Sequence, residues 1–267
     1  MKICVIGLCE FGQFLSKTFV RQGHSVIAAS RSDYRKEAAS LGVSYCSLKE
    51  IASHDVELDV DVILLAVSIL SFCQVLHSLP QKILENRLIV DVLSVKAHPK
   101  TSMLAYLPPS SCILCTHPMF GPVSARDGWD GQRMQFERVR IHTGQGLEER
   151  CSKFLQIFFM EGCVMVEMPC EQHDDYAANS QFVTHLTGRV LGQLKNFDPT
   201  PIDTQGFRTL LGLRESYDQP SGDDLFDGMY VYNSSARNKI AEMRSALDAV
   251  EARLLSRRDQ VLRKQVT

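Results

Sequence analysis

The opening of the chain leaves few folds available to it. Lys2-Ile3-Cys4-Val5-Ile6 is a short apolar, β-branched run of the kind that forms a strand buried on both faces. Gly7-Leu8-Cys9-Glu10-Phe11-Gly12 follows at once, and residues 11–22 read as an amphipathic helix with Phe14, Leu15, Thr18 and Phe19 at helical spacing. Gly23-His24 ends that helix, and Ser25-Val26-Ile27-Ala28-Ala29 is a second strand. Strand, glycine turn, helix and strand make a βαβ unit. In that setting G-x-C-x-x-G reads as a Rossmann dinucleotide fingerprint with one change. Gly7 permits the tight turn and Gly12 the close packing of helix on strand, while Cys9 stands where the pyrophosphate normally approaches the backbone at the helix N-terminus. The second strand ends in Ser30-Arg31-Ser32, with no acid to hold ribose hydroxyls. An arginine between two hydroxyls suits a 2′-phosphate, so the cofactor read from these residues is NADP.

Strand and helix patterns continue to alternate. Strands are expected at residues 43–46, 60–67, 87–93, 112–116, 139–142 and 163–168, with helices between several of them. Ser47 and Glu50 have the spacing of a capping box for a helix over 48–53. After Pro169 no strong strand pattern recurs. One long helix is expected over 171–196, then helices over 207–215, 225–232 and 234–263. The fold class is therefore α/β: an N-terminal Rossmann-type doubly wound parallel sheet over residues 1–168, followed by an all-helical C-terminal domain over 169–267. The last helix is apolar at Ile240, Met243, Leu247, Val250 and Leu254, a pattern that favours a homodimer through the C-terminal helices. A net charge of −2 without a basic tract argues against nucleic acid as a partner. No apolar run approaches the roughly 18 residues that span a bilayer. The nine cysteines sit largely within apolar runs, so they read as reduced thiols. Cys112 and Cys115 would point to opposite faces of a strand, which argues against a metal site. With the first strand opening at residue 2, the chain as it stands is expected to be cytoplasmic.

Ligands in this fold bind beyond the carboxyl ends of the strands. Ser68 follows one such end over the cofactor crevice, and Ser94, with Lys96 close by, follows another. His117 follows a third; it can act as acid or base near neutral pH, and Pro118 and Gly121 favour a fixed loop around it. The alternative for His117 is a structural loop histidine. In the helical half, His173 and Asp174 lie near a helix start, and Gln181, Thr184 and His185 form one polar stripe. That stripe either lines a cleft or faces solvent.

Taken together, these stretches resemble the plant-type arogenate and prephenate dehydrogenases. The resemblance rests on the Gly7–Gly12 turn with Phe11-Gly12-Gln13-Phe14-Leu15, on Ser30-Arg31-Ser32-Asp33-Tyr34, and on Asp91-Val92-Leu93-Ser94-Val95-Lys96. Cys115-Thr116-His117-Pro118-Met119-Phe120-Gly121-Pro122, the segment from His173-Asp174 to His185, and Tyr232-Asn233 extend it over nearly the whole chain. It implies NADP-dependent oxidative decarboxylation of arogenate to tyrosine, or of prephenate to 4-hydroxyphenylpyruvate, with no metal required. It implies that His117 takes the substrate hydroxyl's proton and that Ser94 bonds the same hydroxyl or orients His117. Gly7, Phe11, Gly12, Ser30, Arg31, Ser32 and Ser68 would contact the cofactor, and Gln181 and Thr184 the substrate. Arg208 or Arg214 would pair with a substrate carboxylate. An acidic residue before Tyr232-Asn233 goes with arogenate and tyrosine feedback, a neutral one with prephenate. Direct counting puts Ser221 there and a short gap puts Asp223 there; the crowding of Asp218, Asp223 and Asp224 favours arogenate. Relatives are often plastid enzymes, so a chloroplast location after removal of a transit peptide is the alternative to the cytoplasm. Two other readings compete. A Rossmann protein with a degraded cofactor site would bind a ligand without catalysis, and Cys9 is its support. A 3-hydroxyacid dehydrogenase would need a lysine on the corresponding helix, which offers Gln181 and His185 and no lysine until Lys195.

Overall fold

The computed structural model describes residues 1–53, 58–144, 146–218 and 222–265. They form two compact units, Met1–Asp174 and Asp175–Thr267. The elements in chain order are β1 (Lys2–Ile6), α1 (Glu10–Arg21), β2 (Ser25–Ser30), α2 (Arg35–Ser40), β3 (Ser44–Ser47), α3 (Leu48–Ala52), β4 (Val62–Leu65), α4 (Phe72–Ser78), α5 (Gln81–Leu84), β5 (Leu88–Asp91), α6 (Ala97–Tyr106), β6 (Cys112–Pro118), β7 (Arg133–Arg140), α7 (Leu147–Met160) and β8 (Val164–Glu167). Helices follow: α8 (Cys170–Asn179), α9 (Gln181–Gly192), α10 (Gln205–Tyr217), α11 (Asp223–Tyr232) and α12 (Ser234–Gln265).

The first unit holds one eight-stranded sheet in the order β3-β2-β1-β4-β5-β6-β7-β8. β1, β4, β5 and β6 are central because each is built on an apolar run, and β4, β5 and β6 are buried at every residue. The sheet is parallel except where β7 runs antiparallel to β6. That strand begins at Arg133, earlier than the expected start at residue 139, because its charges find partners that a sequence cannot display. Lys100 bonds Glu137 at 2.8 Å, Glu167 accepts from Arg138 at 2.7 Å, and Arg140 donates to the Ser111 and Pro108 carbonyls. Between Phe19, Phe154 and Phe158 the rings of α1 and α7 meet edge to face or tilted, and Trp129 stacks on Phe158 at 5.3 Å. The Ser47–Glu50 capping box forms as read, with both reciprocal bonds made. All nine cysteines are free thiols.

The helix expected over 171–196 is two helices. Ser180, at φ −124° and ψ −78°, leaves the helical region, and its hydroxyl donates back to the Tyr176 carbonyl at 2.7 Å. A serine that bonds the preceding turn offers the backbone an alternative to continued helix. The first unit ends at Asp174, beyond residue 168, because the opening of α8 is bonded into the sheet: the Cys170 amide donates to Glu137 at 2.6 Å.

Candidate active site

The strand order reverses between β1 and β4, which is where a doubly wound sheet opens a crevice. Gly7 lies there at φ +101°, and a Cβ on it would meet the Ala66 carbonyl oxygen at 2.2 Å. A Cβ on Gly12 would meet the Gly7 oxygen at 2.0 Å. Both positions therefore require glycine. The middle one does not: Cys9 adopts φ −66° and ψ −179°, open to any residue, and its exposed thiol points to the Ala66 carbonyl at 3.8 Å. No side chain caps α1, so its first amides remain available to an anion. The cradle fits a dinucleotide pyrophosphate. Ser30, Arg31 and Ser32 close β2 on the same edge, with Arg31 and Ser32 exposed. Among the described residues Arg31 forms no ion pair, whereas the nearest acid, Asp33, pairs with Arg35. Phe11 stacks on Phe14 at 6.0 Å, and Ser68 accepts the Leu70 amide at 3.3 Å, capping the turn after β4.

A second group of polar residues lies beyond β5 and β6, where α8 begins. Ser94, Lys96, His117, His173 and Asp174 are all buried. His117 Nδ1 is 2.9 Å from His173 Nε2, and His173 Nδ1 is 2.9 Å from Asp174 Oδ1. Asp174 also accepts the backbone amides of Lys96 at 2.8 Å and Ala97 at 2.9 Å. This chain of bonds assigns the protons. The Asp174 carboxylate takes the Nδ1–H of His173, whose Nε2 then accepts from His117 Nδ1–H, and His117 is left with a lone pair on Nε2. Burial holds the His117 imidazole well below its ordinary range, reinforced by His173 and then by the Lys96 charge. A neutral imidazole with a free Nε2 is a general base. Beneath it the Lys96 ammonium, fully buried, bonds Asp91 and the Thr116 carbonyl. The group that orients His117 is thus His173; Ser94 makes no hydrogen bond among the described residues.

In the second unit, α9 carries Gln181, His185 and Arg189 at successive four-residue steps. Gln181 Oε1 is buried without a hydrogen-bond partner. Thr184 turns its hydroxyl back to the Ser180 carbonyl at 3.0 Å. His185 packs tilted against Tyr217, with ring centres 4.4 Å apart; burial and then the Arg189 charge lower its pKa to about 4, so it is neutral. Arg189 pairs with Asp223 at 2.7 Å, and its guanidinium lies 4.7 Å from the centre of the Phe226 ring. Ser221 lies outside the described residues. Arg214 Nη1 donates to the Phe197 carbonyl and lies 3.4 Å from Asp198 Oδ1. The roles of His173 and Asp174 went unread in the sequence because the pairing spans two distant segments. Arg189 was legible only as a continuation of the Gln181–His185 stripe.

Known proteins match both units. The model of the prephenate dehydrogenase nucleotide-binding domain matches residues 15–135, and that of the TYRAAT1-like C-terminal domain matches residues 190–266. Arogenate dehydrogenase 2, chloroplastic, of Arabidopsis thaliana is 47% identical over 268 residues, covering 100% of this chain and 73% of that protein. The chain belongs to the arogenate/prephenate dehydrogenase family. Arogenate dehydrogenase 1, chloroplastic, of the same plant is 47% identical over 261 residues, and the match takes in 96% of this family member but only 40% of that protein. Among solved structures, prephenate dehydrogenase from A. aeolicus in complex with hydroxyphenyl propionate and NAD+ superposes with a TM-score of 0.72 at 16% identity, covering 100% of this chain and 94% of that one. Synechocystis arogenate dehydrogenase gives 0.62 at 18% identity, covering 97% and 93%. At such identities the likeness speaks for the fold. The first unit is a nucleotide-binding dehydrogenase domain of this family. Among the described residues, no helix is long and apolar enough to cross a membrane.

Proposed function

We propose that the chain catalyses the NADP-dependent oxidative decarboxylation of arogenate to tyrosine. One observation carries this reading: a buried, neutral His117 with Nε2 free, held by His173 and Asp174 at the carboxyl edge of a dinucleotide-binding sheet. A nicotinamide bound at the Gly7–Gly12 cradle supplies the hydride acceptor. His117 Nε2 accepts the proton of the ring hydroxyl as hydride leaves the carbon bearing it. The His173–Asp174 chain stabilises the imidazolium that forms. The bond to the ring carboxylate then breaks, its electron pair restores the aromatic ring, carbon dioxide leaves, and the proton at Nε2 returns to the phenolate oxygen. Ser94, buried and without a partner of its own among the described residues, is suited to donate to that oxygen. Arg31 between Ser30 and Ser32 supports NADP over NAD, because the nearby acid Asp33 is already committed to Arg35. Asp223, held at the start of α11 by Arg189, supports arogenate over prephenate. The second unit would form part of the substrate site and, through the exposed Leu247, Val250 and Leu254 of α12, a homodimer.

The deciding assay follows formation of reduced nicotinamide with arogenate and prephenate in parallel, each with NADP and NAD. Arogenate with NADP is expected to give the highest kcat/KM. Reduction with neither substrate would remove the catalytic reading, and equal use of NAD would remove the role given to Arg31. Asp174→Asn is expected to lower kcat about 10²-fold, because the amide no longer enforces the productive tautomer. The sign of the accompanying pH effect follows from charge. Asp174's carboxylate favours protonated imidazoles, so its removal weakens His117 as a base and moves the acid limb of kcat to lower pH. A merely structural role for Asp174 would leave that limb in place.

A further inference from the structure

Seven of the nine thiols are buried, and burial pushes those of Cys46, Cys151 and Cys163 up to about 11, so near neutral pH they stay protonated and inert. Cys9 is exposed but faces the Ala66 carbonyl at 3.8 Å, an acceptor that does not take its proton. Cys73 differs from all of these. It is half-buried on the first turn of α4, and its Sγ lies 3.4 Å from His98 Nε2 and 3.4 Å from Ser102 Oγ, both on α6. His98 and Ser102 are four residues apart and so share one helix face. The two helices are also held together at the far end of α6. There the Tyr106 hydroxyl bonds toward the His77 and Leu79 carbonyls at 3.2 and 3.1 Å, and the rings of Tyr106 and His77 lie with their centres 4.6 Å apart.

Burial holds the His98 imidazole below its ordinary range, so near neutral pH it is uncharged. With the ring proton on Nδ1, Nε2 accepts from the Cys73 S–H, and the Ser102 hydroxyl donates to the sulfur. A nucleophile, a neutral base and a donor to the developing negative charge are thereby in contact. His98 directly follows the two backbone amides that Asp174 holds, so the cluster adjoins the proposed active site without belonging to it.

We infer that Cys73 is a thiol-modification site that takes up a small disulfide of the glutathione class, with His98 as its base. His98 Nε2 takes the Cys73 proton as the sulfur bonds to one sulfur of the incoming disulfide. The bond between the two sulfurs of that disulfide breaks, and its electron pair leaves as a thiolate, which takes the proton back from the imidazolium. One thiol and one disulfide give one mixed disulfide and one thiol, so the oxidation of Cys73 is balanced by reduction of the reagent. The step uses neither cofactor nor substrate, and it stands or falls apart from the dehydrogenase reading.

The test incubates the purified full chain with oxidised glutathione at neutral pH and follows the peptide of each cysteine by mass. Cys73 is expected to be modified at least about tenfold faster than Cys9, although Cys9 is the more exposed of the two. His98→Gln removes the base and retains a polar group, so it should bring Cys73 down to the rate of Cys9 or below. Ser102→Ala keeps thiol and base and removes only the donor to the sulfur, so it should slow Cys73 about threefold. An unchanged rate at Cys9 and an unchanged melting temperature show that each variant is folded. Cys73 reacting no faster than Cys9 in the wild type, or at the wild-type rate in His98→Gln, overturns the inference. Should His98→Gln fail to fold, Ser102→Ala reacting at the wild-type rate overturns it alone. Dithiothreitol should remove the added mass, and a gain at Cys73 that it does not reverse would mark an oxygen adduct in place of the mixed disulfide and overturn the inference as well.

Discussion

Replacing His117 with Asn is expected to lower kcat about 10³-fold while cofactor affinity and melting temperature stay near wild type. The side-chain amide of Asn reaches about as far as Nδ1 of an imidazole, so it can still donate to His173 Nε2, which now accepts at 2.9 Å. The substitution therefore removes Nε2 and keeps the buried bond. Alanine would also leave His173 unpaired inside the protein, mixing a stability cost with the catalytic one. In the wild type, burial and the nearby Lys96 charge place the acid limb of kcat/KM below pH 6.5, since the imidazole must be neutral to act and its pKa lies well beneath that value. Activity is lost only as the pH falls through that lowered pKa. Retention of more than a tenth of wild-type kcat by His117→Asn would show that His117 is not the base.

Lys96→Met carries the largest expected effect on stability, a loss of about 3–5 kcal/mol. The ammonium is fully buried and bonded to Asp91, which is also fully buried and already has one oxygen, Oδ2, without a partner. Removing the cation leaves a carboxylate enclosed in the centre of the sheet. Burial already pushes the Asp91 carboxyl above its ordinary range against the pull of Lys96. Without Lys96 it should rise further and take a proton in the folded state. The folded variant then binds a proton that the unfolded chain releases above about pH 4, so its deficit grows as the pH rises from there. Thermal melts across that range read the effect directly, and Lys96→Met/Asp91→Leu should recover most of the loss because no charge is stranded. A pH-independent deficit would point to lost packing around the lysine stem instead.

The sheet was legible because its strands are unusual locally. β1, β4, β5 and β6 each contain a short unbroken apolar run, and Gly7 and Gly12 are required by contacts near 2 Å that no other residue tolerates. The capping box at Ser47 was equally local. What escaped reading was settled at long range. Residues 133–138 of β7 show no strand pattern until Lys100, Glu167 and two carbonyls are brought to the strand's charges. Position identified His117 as a candidate, but its partner lies 56 residues further on, and nothing near either histidine announces the pair. Arg189 is one more basic residue on an amphipathic helix until Asp223 and the Phe226 ring are brought to it. Spacing finds side chains that share a face of one element; it does not find groups that meet across two.

The bonds from Asp174 to the Lys96 and Ala97 amides have a consequence for folding. Lys96 supplies no side-chain cap for α6, so the first turn of that helix takes its cap from a carboxylate 78 residues away. The same carboxylate orients the histidine pair. Until the start of α8 has docked, those two amides are open to solvent and the proposed base, His117, has no orientation. The exchange of two backbone protons with heavy water thus reports whether the proton acceptor has been assembled, in a protein carrying neither cofactor nor substrate.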